Sequence, residues 1–218
     1  MQPSHRLIRP LPKRRNRDRR DAPQPLPTPH DPSTGLPVAA TPLDTLLANV
    51  LRTRESLDDG LHALYGPPCV SVLADGSCSG AMPVWIDGSC INNGRAGARA
   101  GAGAYFGEGS PRNTAARVPG RQTNNRGEHL ALICALLQVG PATPLIIHCD
   151  SELVIRTYCY WARRYEQHGW TCANADLIMH AVDILRRRSS TVQFRWVRGH
   201  SGNTGNEAAD QLAKSGAA

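Results

Sequence analysis

From residue 81 onward the apolar positions follow two periods in turn. Val84-Trp85-Ile86 is a short apolar run closed by Asp87-Gly88, the pattern of a strand running into a turn. Residues 100–107 (AGAGAYFG) read as a Gly-rich second strand, and residues 113–118 as a weaker third. The period then lengthens. Thr123 and Asn124 can cap a helix whose apolar positions Leu130, Ile133, Cys134 and Leu137 follow i, i+3, i+4, i+7. Leu145-Ile146-Ile147 predicts a buried strand ending at Asp150, with Ser151 placed to cap a short helix, and a helical patch covers 160–168. Asn174 caps a longer helix that turns Leu177, Ile178, Ala181, Ile184 and Leu185 inward. Val192 to Val197 reads as the last strand, and Thr204-x-x-Glu207 as a capping box opening the final helix. Three strands, a helix, a strand, helices, a strand and a helix make an α/β domain with a mixed five-stranded sheet flanked by helices on both faces. The first three strands predict an antiparallel meander, and the later ones parallel crossovers.

The first 80 residues lack this periodicity. Residues 1–43 are rich in Pro and Arg and read as a disordered basic tail. Residues 44–80 read as an acidic linker, with Leu46, Leu47, Val50 and Leu51 at the spacing of one short amphipathic helix. Gly-Pro-Pro and Gly/Ser punctuation marks 65–80 as connecting chain. The globular domain is therefore expected at 81–218.

Charge sharpens this division. Of the net +7 on 218 residues, residues 1–20 carry eight basic against one acidic residue, +7. Residues 21–80 carry two against seven, −5, and residues 81–218 carry fifteen against ten, +5. The run from Lys13 to Arg20 reads as a nuclear localisation signal, a non-specific nucleic-acid tether, or both. An intracellular, preferably nuclear, location follows, with mitochondrial and cytoplasmic locations as alternatives. The N-terminus has no apolar stretch of a secretory signal, and no run of 18 apolar residues predicts a membrane span. Seven cysteines without a CxxC pair fit neither a disulfide framework nor a zinc ribbon.

Four acids stand where an open α/β sheet places its site. Asp87 and Asp150 end apolar strands, Glu128 lies in the first turns of the capped helix, and Asp210 in the second turn of the last. Any one of them has an ordinary explanation: an Asp-Gly turn, a charge complementing a helix dipole, a strand-to-cap junction, a surface acid. A cluster of carboxylates is costly unless cations neutralise it, and hard divalent ions with oxygen ligands do so.

The ordered blocks that hold these acids resemble the type 1 ribonuclease H family. They are Trp85-Ile86-Asp87-Gly88-Ser89-Cys90 with Asn93-Gly94, then Gly120-Arg121-Gln122-Thr123-Asn124-Asn125-Arg126-Gly127-Glu128. Ile146-Ile147-His148-Cys149-Asp150-Ser151, Trp196-Val197-Arg198-Gly199-His200-Ser201-Gly202 and Gly205-Asn206-Glu207-Ala208-Ala209-Asp210 follow. The resemblance implies a ribonuclease H-like fold over about 82–217 and cleavage of the RNA strand of RNA–DNA hybrids, leaving 5′-phosphate and 3′-hydroxyl ends. It implies that Asp87, Glu128, Asp150 and Asp210 hold two Mg²⁺ ions roughly 4 Å apart, with Mn²⁺ as a substitute. His200 matches the histidine of the loop before the last helix, which assists proton handling or product release. Cys90, Asn93, Asn124 and Asn125 match RNA-strand contacts. Arg121, Thr123 and Asn174 match a pocket for a DNA phosphate, with capping as the plain alternative for Asn174. Trp161 and Tyr165 match an aromatic pair lining the DNA channel, where Arg163 and Arg164 add phosphate attraction. The hybrid is the implied partner, read by shape with little sequence preference; a monomer is the default.

Three features depart from the family. Gly127 stands where alanine is common, which is expected to loosen the turn bearing Glu128. The stretch from Trp170 to Asn174 is short, trimming the basic handle. The first 80 residues show no hybrid-binding domain. A rival reading is a hybrid-binding module without turnover, but such a module has no reason to keep four phosphate-repelling acids together with His200. A further alternative is one domain of a retroelement polyprotein, against which Met1 and the short linker weigh.

Overall fold

The computed structural model describes residues 54–67, 70–72 and 80–218. The elements in chain order are α1 (Arg54–Tyr65), β1 (Val70–Val72), β2 (Met82–Ile91), β3 (Arg99–Tyr105), β4 (Thr114–Arg117), α2 (Asn124–Leu137) and β5 (Leu145–Cys149). Then come α3 (Glu152–Arg156), a π-helical turn (Thr157–Trp161), α4 (Ala162–Gln167), α5 (Ala175–Arg186), β6 (Val192–Trp196) and α6 (Thr204–Ala217). The strands form one sheet in the order β1-β6-β5-β2-β3-β4. β2, β3 and β4 pair antiparallel, and β2, β5, β6 and β1 pair parallel.

The expected meander and crossovers are present, but the sheet has six strands, not five. The additional strand, Val70–Val72, lies in the stretch expected to be connecting chain and pairs Val70 with Val192 and Val72 with Phe194. Three residues bounded by Gly-Pro-Pro carry too little pattern to register as a strand. The sheet edge at β6 supplies their hydrogen-bond partners. The apolar positions Leu46, Leu47, Val50 and Leu51 lie outside the described residues.

Helices lie on both faces. Successive residues of a strand point to opposite sides. Gly101 and Gly103 on β3 therefore share one face, against Ala213 and Ala209 of α6, while Gly88 on β2 faces α2. Between sheet and helices sit Val84, Ile86, Leu132, Leu145, Ile147 and Phe194, all fully buried.

Three helix starts differ from expectation. The cap of α6 is Asn203, whose Oδ1 accepts from the Asn206 amide at 3.1 Å, so Thr204 is the first helical residue. Ser151 and Asn174 occupy cap positions, yet neither side chain makes a capping bond. Asn174 has φ +60, outside the extended region in which a cap side chain reaches back to the helix. Thr123 does cap α2, accepting from the Arg126 amide at 3.3 Å. The helical patch expected at 160–168 belongs to a longer run from Glu152 to Gln167, interrupted by the π turn.

Candidate active site

Strand register assembles the acids. Ile86 pairs with Cys149 in the last step of the parallel β2–β5 ladder, so Asp87 and Asp150 stand side by side just beyond it. Asp150 follows the end of β5, but Asp87 lies inside β2: the turn expected at Asp87-Gly88 is absent, because β2 runs on to Ile91 paired with β3. Asp87 also pairs with Gly103 on β3. A Cβ at Gly103 would collide with the Ala209 carbonyl, so its absence lets α6 come close enough to bring Asp210 over Asp87. A Cβ at Gly88 would collide with the Glu128 amide, which fixes the approach of α2 in the same way. Asp87, Glu128, Asp150, Asp210 and His200 thus line one cavity of about 350 Å³, with Ser89, Asn124 and Lys214. Asp87 and Glu128 are buried, Asp150 and Asp210 half-buried, and His200 is exposed.

Gly127 serves this packing. An added Cβ would sit 2.5 Å from the Gly101 carbonyl oxygen and 3.0 Å from Gly88 Cα. The expected loosening is therefore corrected: glycine here permits the tight seat of α2 on the sheet.

Each carboxylate is held by a neighbour. Asp87 Oδ1 accepts from the Gly88 amide at 2.7 Å, and Glu128 Oε1 from Asn124 Nδ2 at 3.3 Å. Asp150 Oδ2 accepts from Asn206 Nδ2 at 2.9 Å, and Asp210 pairs with Lys214 one turn on. Burial, then the charges of Asp150 and Asp210, push the Asp87 carboxyl up to about 7, against the opposing pull of the Gly88 amide and Lys214. Burial and the charges of Asp87 and Asp150 also raise Glu128 well above the ordinary carboxylate range. Glu128 Oε2 is buried without a partner. An orphaned carboxylate oxygen among like charges fits a hard cation. Cys149 also approaches Glu128 and Asp150. Its thiol is pushed far up by burial and accepts from the Ser151 amide at 3.3 Å, so the donor set that remains is oxygen. His200 has φ +50, a left-handed backbone uncommon for a residue with a Cβ.

Around this cavity the other expected residues fall into three groups. Asn93, in the β2–β3 turn, accepts from the Asn124 amide at 3.3 Å, while Asn125 is exposed on the first turn of α2 and Cys90 is half-buried on β2. Arg121, exposed, and Thr123 precede α2, and Asn174 precedes α5. These two helix N-termini are tied by Arg126, which donates to both Asp176 oxygens at 2.8 and 2.7 Å. Trp161 and Tyr165 are half-buried neighbours with ring centroids 6.5 Å apart. The short Trp170–Asn174 link holds two left-handed residues, Trp170 and Asn174. Sequence reasoning did not find Asn206, Lys214 or the Arg126–Asp176 bridge. Lys214 at i+4 from Asp210 was the one available signal; the others are meetings of distant residues.

A mixed sheet with one acid within β2 and one just past the end of the parallel neighbour β5, and two more on the flanking helices, defines an acidic-site α/β domain of the ribonuclease H-like class. The chain belongs to the RNase H family: residues 79–218 match its family model. Its relatives place it in the type 1 branch. It is 37% identical over 140 residues to ribonuclease H1 of Mus musculus, covering 62% of this chain and 49% of that one. It is 37% identical over 148 residues to ribonuclease H of Schizosaccharomyces pombe, with 65% and 54% covered. Ribonuclease H of Pseudomonas aeruginosa (strain LESB58) is 37% identical over 142 residues, with 62% and 92% covered. The chain thus spans about half the length of the mouse relative. The crystal structure of LC9-RNase H1, a type 1 RNase H with the type 2 active-site motif, superposes with TM-score 0.52 at 27% identity, over 66% of this chain and 74% of that one. No helix among the described residues is long and apolar enough to cross a membrane.

Proposed function

We propose that this protein is an endoribonuclease that hydrolyses the RNA strand of RNA–DNA hybrids, leaving 5′-phosphate and 3′-hydroxyl ends. The observation that carries the reading is the convergence of Asp87, Glu128, Asp150 and Asp210 on one cavity, two of them buried at a cost in charge repulsion. These four acids would hold two Mg²⁺ ions, with Mn²⁺ as a substitute. When bound, the ions supply Lewis acidity at the attacking water and at the leaving 3′ oxygen.

The chain's own residues do the rest. Asn206 orients the Asp150 carboxylate, and Asn124 orients Glu128. Lys214, paired with Asp210, offsets part of the negative charge before a substrate phosphate enters. His200, exposed on the loop before α6, shuttles a proton at the rim of the cavity or eases product departure. Cys90, Asn93, Asn124 and Asn125 lie along the path of the RNA strand, where 2′-hydroxyl contacts separate RNA from DNA. The DNA strand is taken by the paired N-termini of α2 and α5, where Arg121, Thr123 and Asn174 would meet a phosphate, and by the Trp161–Tyr165 pair. The basic run from Lys13 to Arg20 would add non-specific attraction and serve as a nuclear address.

The test is cleavage of a labelled hybrid beside matched RNA–RNA, DNA–DNA and single-stranded RNA, with Mg²⁺ and with EDTA. Cutting confined to the RNA strand of the hybrid, and abolished by EDTA, is expected. Asp150→Asn should lose cleavage and keep hybrid binding. A variant that cuts as fast as the unaltered protein would overturn the metal assignment, and an unaltered protein that binds without cutting would leave a binding module.

A further inference from the structure

We propose that residues 54–67 and 70–72 form a buttress that sets the register of the hybrid-facing helix, with Tyr65 as its positioning residue. The segment lies before the residues matched by the RNase H family model, so the family pattern assigns it no role. It is nevertheless built into the domain. Leu61, Leu64, Tyr65 and Val70 are buried in the main core, and β1 closes the edge of β6.

The reason lies in the π turn. A π-helical turn inserts one extra residue, widens the backbone and rotates every later side chain by about 100° relative to an uninterrupted α-helix. The turn at Thr157–Trp161 immediately precedes α4, so it decides which way Trp161, Arg163, Arg164 and Tyr165 face. Such a turn is uncommon, and persists where its surroundings satisfy the displaced backbone groups. Here the Ala162 amide donates to the Thr157 carbonyl, and the Tyr65 hydroxyl donates to the Tyr158 carbonyl at 2.8 Å in a fully buried setting. Tyr158 is pinned at its other end as well. Its hydroxyl meets His129 Nδ1 at 3.1 Å, one residue after Glu128, and its ring stacks on Phe194. A second clamp acts from α5. Arg186 Nε donates to the Leu64 carbonyl at 2.6 Å, and its Nη2 reaches both Glu166 oxygens, so one guanidinium joins α1 to α4 next to Tyr165. Removing the Tyr65 hydroxyl takes a buried donor from the Tyr158 carbonyl and favours return to the α-helical register, which would swing the aromatic pair away.

The inference rests on the reading of Trp161 and Tyr165 as hybrid contacts, and the experiment separates the two. Hybrid affinity in EDTA, and KM and kcat in Mg²⁺, are measured on the full chain carrying Tyr65→Phe, Trp161→Ala or both, well below each melting temperature. Tyr65→Phe should raise Kd and KM about three- to tenfold and leave kcat at saturating hybrid within about twofold. The double variant should be weaker than the unaltered protein by less than the product of the single effects. A Tyr65→Phe protein that melts earlier but binds and turns over unchanged would make Tyr65 merely structural and overturn the proposal. Trp161→Ala with unchanged Kd would overturn the reading of the aromatic contact alone. If Tyr65→Phe does not fold, Arg186→Gln tests the same clamp from the surface. It should raise KM while Arg187→Gln, a neighbouring charge paired with Asp183, does not. Equal effects of the two would assign the change to charge and overturn the proposal.

Discussion

At the scale of single residues, the site trades stability for charge density. The Asp87 carboxyl, lifted to about 7, keeps a proton in the folded state that the unfolded chain releases near pH 4. Stability from this group therefore falls as pH rises through that window. Divalent ions compete with that proton, so Mg²⁺ should raise the melting temperature more at about pH 8 than at about pH 5.5, measured by calorimetry against EDTA. Glu128→Gln should raise the melting temperature of the metal-free protein at the higher pH and abolish cleavage, because it removes one of the repelling charges. His129 and His148 act with the opposite sign. Burial, helped by the nearby Arg126 and Arg195 charges respectively, holds each imidazole neutral down to about 4, so their contribution is lost as pH falls from about 6.5 to 4. Gly127→Ala should cost about 1–3 kcal/mol by overpacking, seen in denaturant midpoint, with cleavage falling as Glu128 shifts. As candidates the acids were legible in the sequence only together, through the ordered blocks that resemble one family, because each alone has an ordinary explanation. Gly127 was misread, since helix propensity speaks of the isolated helix and its carbonyl neighbour comes from another strand.

At the scale of elements, periodicity located the strands from 82 onward and the long helices, and fixed α2 through Thr123. It failed where the helix was too short or too irregular to show a period. The run 152–167 changes phase at the π turn, so the sequence predicts a short helix after Ser151 and a separate helical patch at 160–168 where the structure has one interrupted run. The start of α6 slipped by one residue because Thr204 and Asn203 are both good caps, and only the direction of the incoming chain chose Asn203. The bridge from Arg126 to Asp176 ties the starts of α2 and α5. Asp176 is 62% exposed at its side chain, so water screens the pair, and Arg126→Ala should cost only about 1 kcal/mol. Its larger effect should be on the two converging helix ends, raising KM for hybrid with little change in kcat, as steady-state kinetics would read.

At the scale of the whole molecule, the charge asymmetry should set the salt dependence of the proposed hybrid binding. Residues 1–20 hold eight of the chain's basic residues. Their removal should flatten the dependence of log affinity on log salt and leave kcat in saturating hybrid unchanged, as a titration at several salt concentrations would show. A chain starting at residue 81 loses Leu61, Leu64, Tyr65 and Val70 from the core and opens the edge of β6. Thermal melting should therefore place it several kcal/mol below the full chain.

By itself, the sequence determined the α/β class and the chain order of the strands after residue 81, which rest on local apolar periodicity, and it marked four candidate acids through ordered blocks that resemble one family. The tertiary structure alone decided that the sheet has a sixth strand, that glycines at 88, 103 and 127 allow α2 and α6 to bring Glu128 and Asp210 to Asp87, and that Asn206 reaches Asp150. Those are meetings between residues far apart in the chain. The energy of such a meeting depends on the partner's position, which no local window contains.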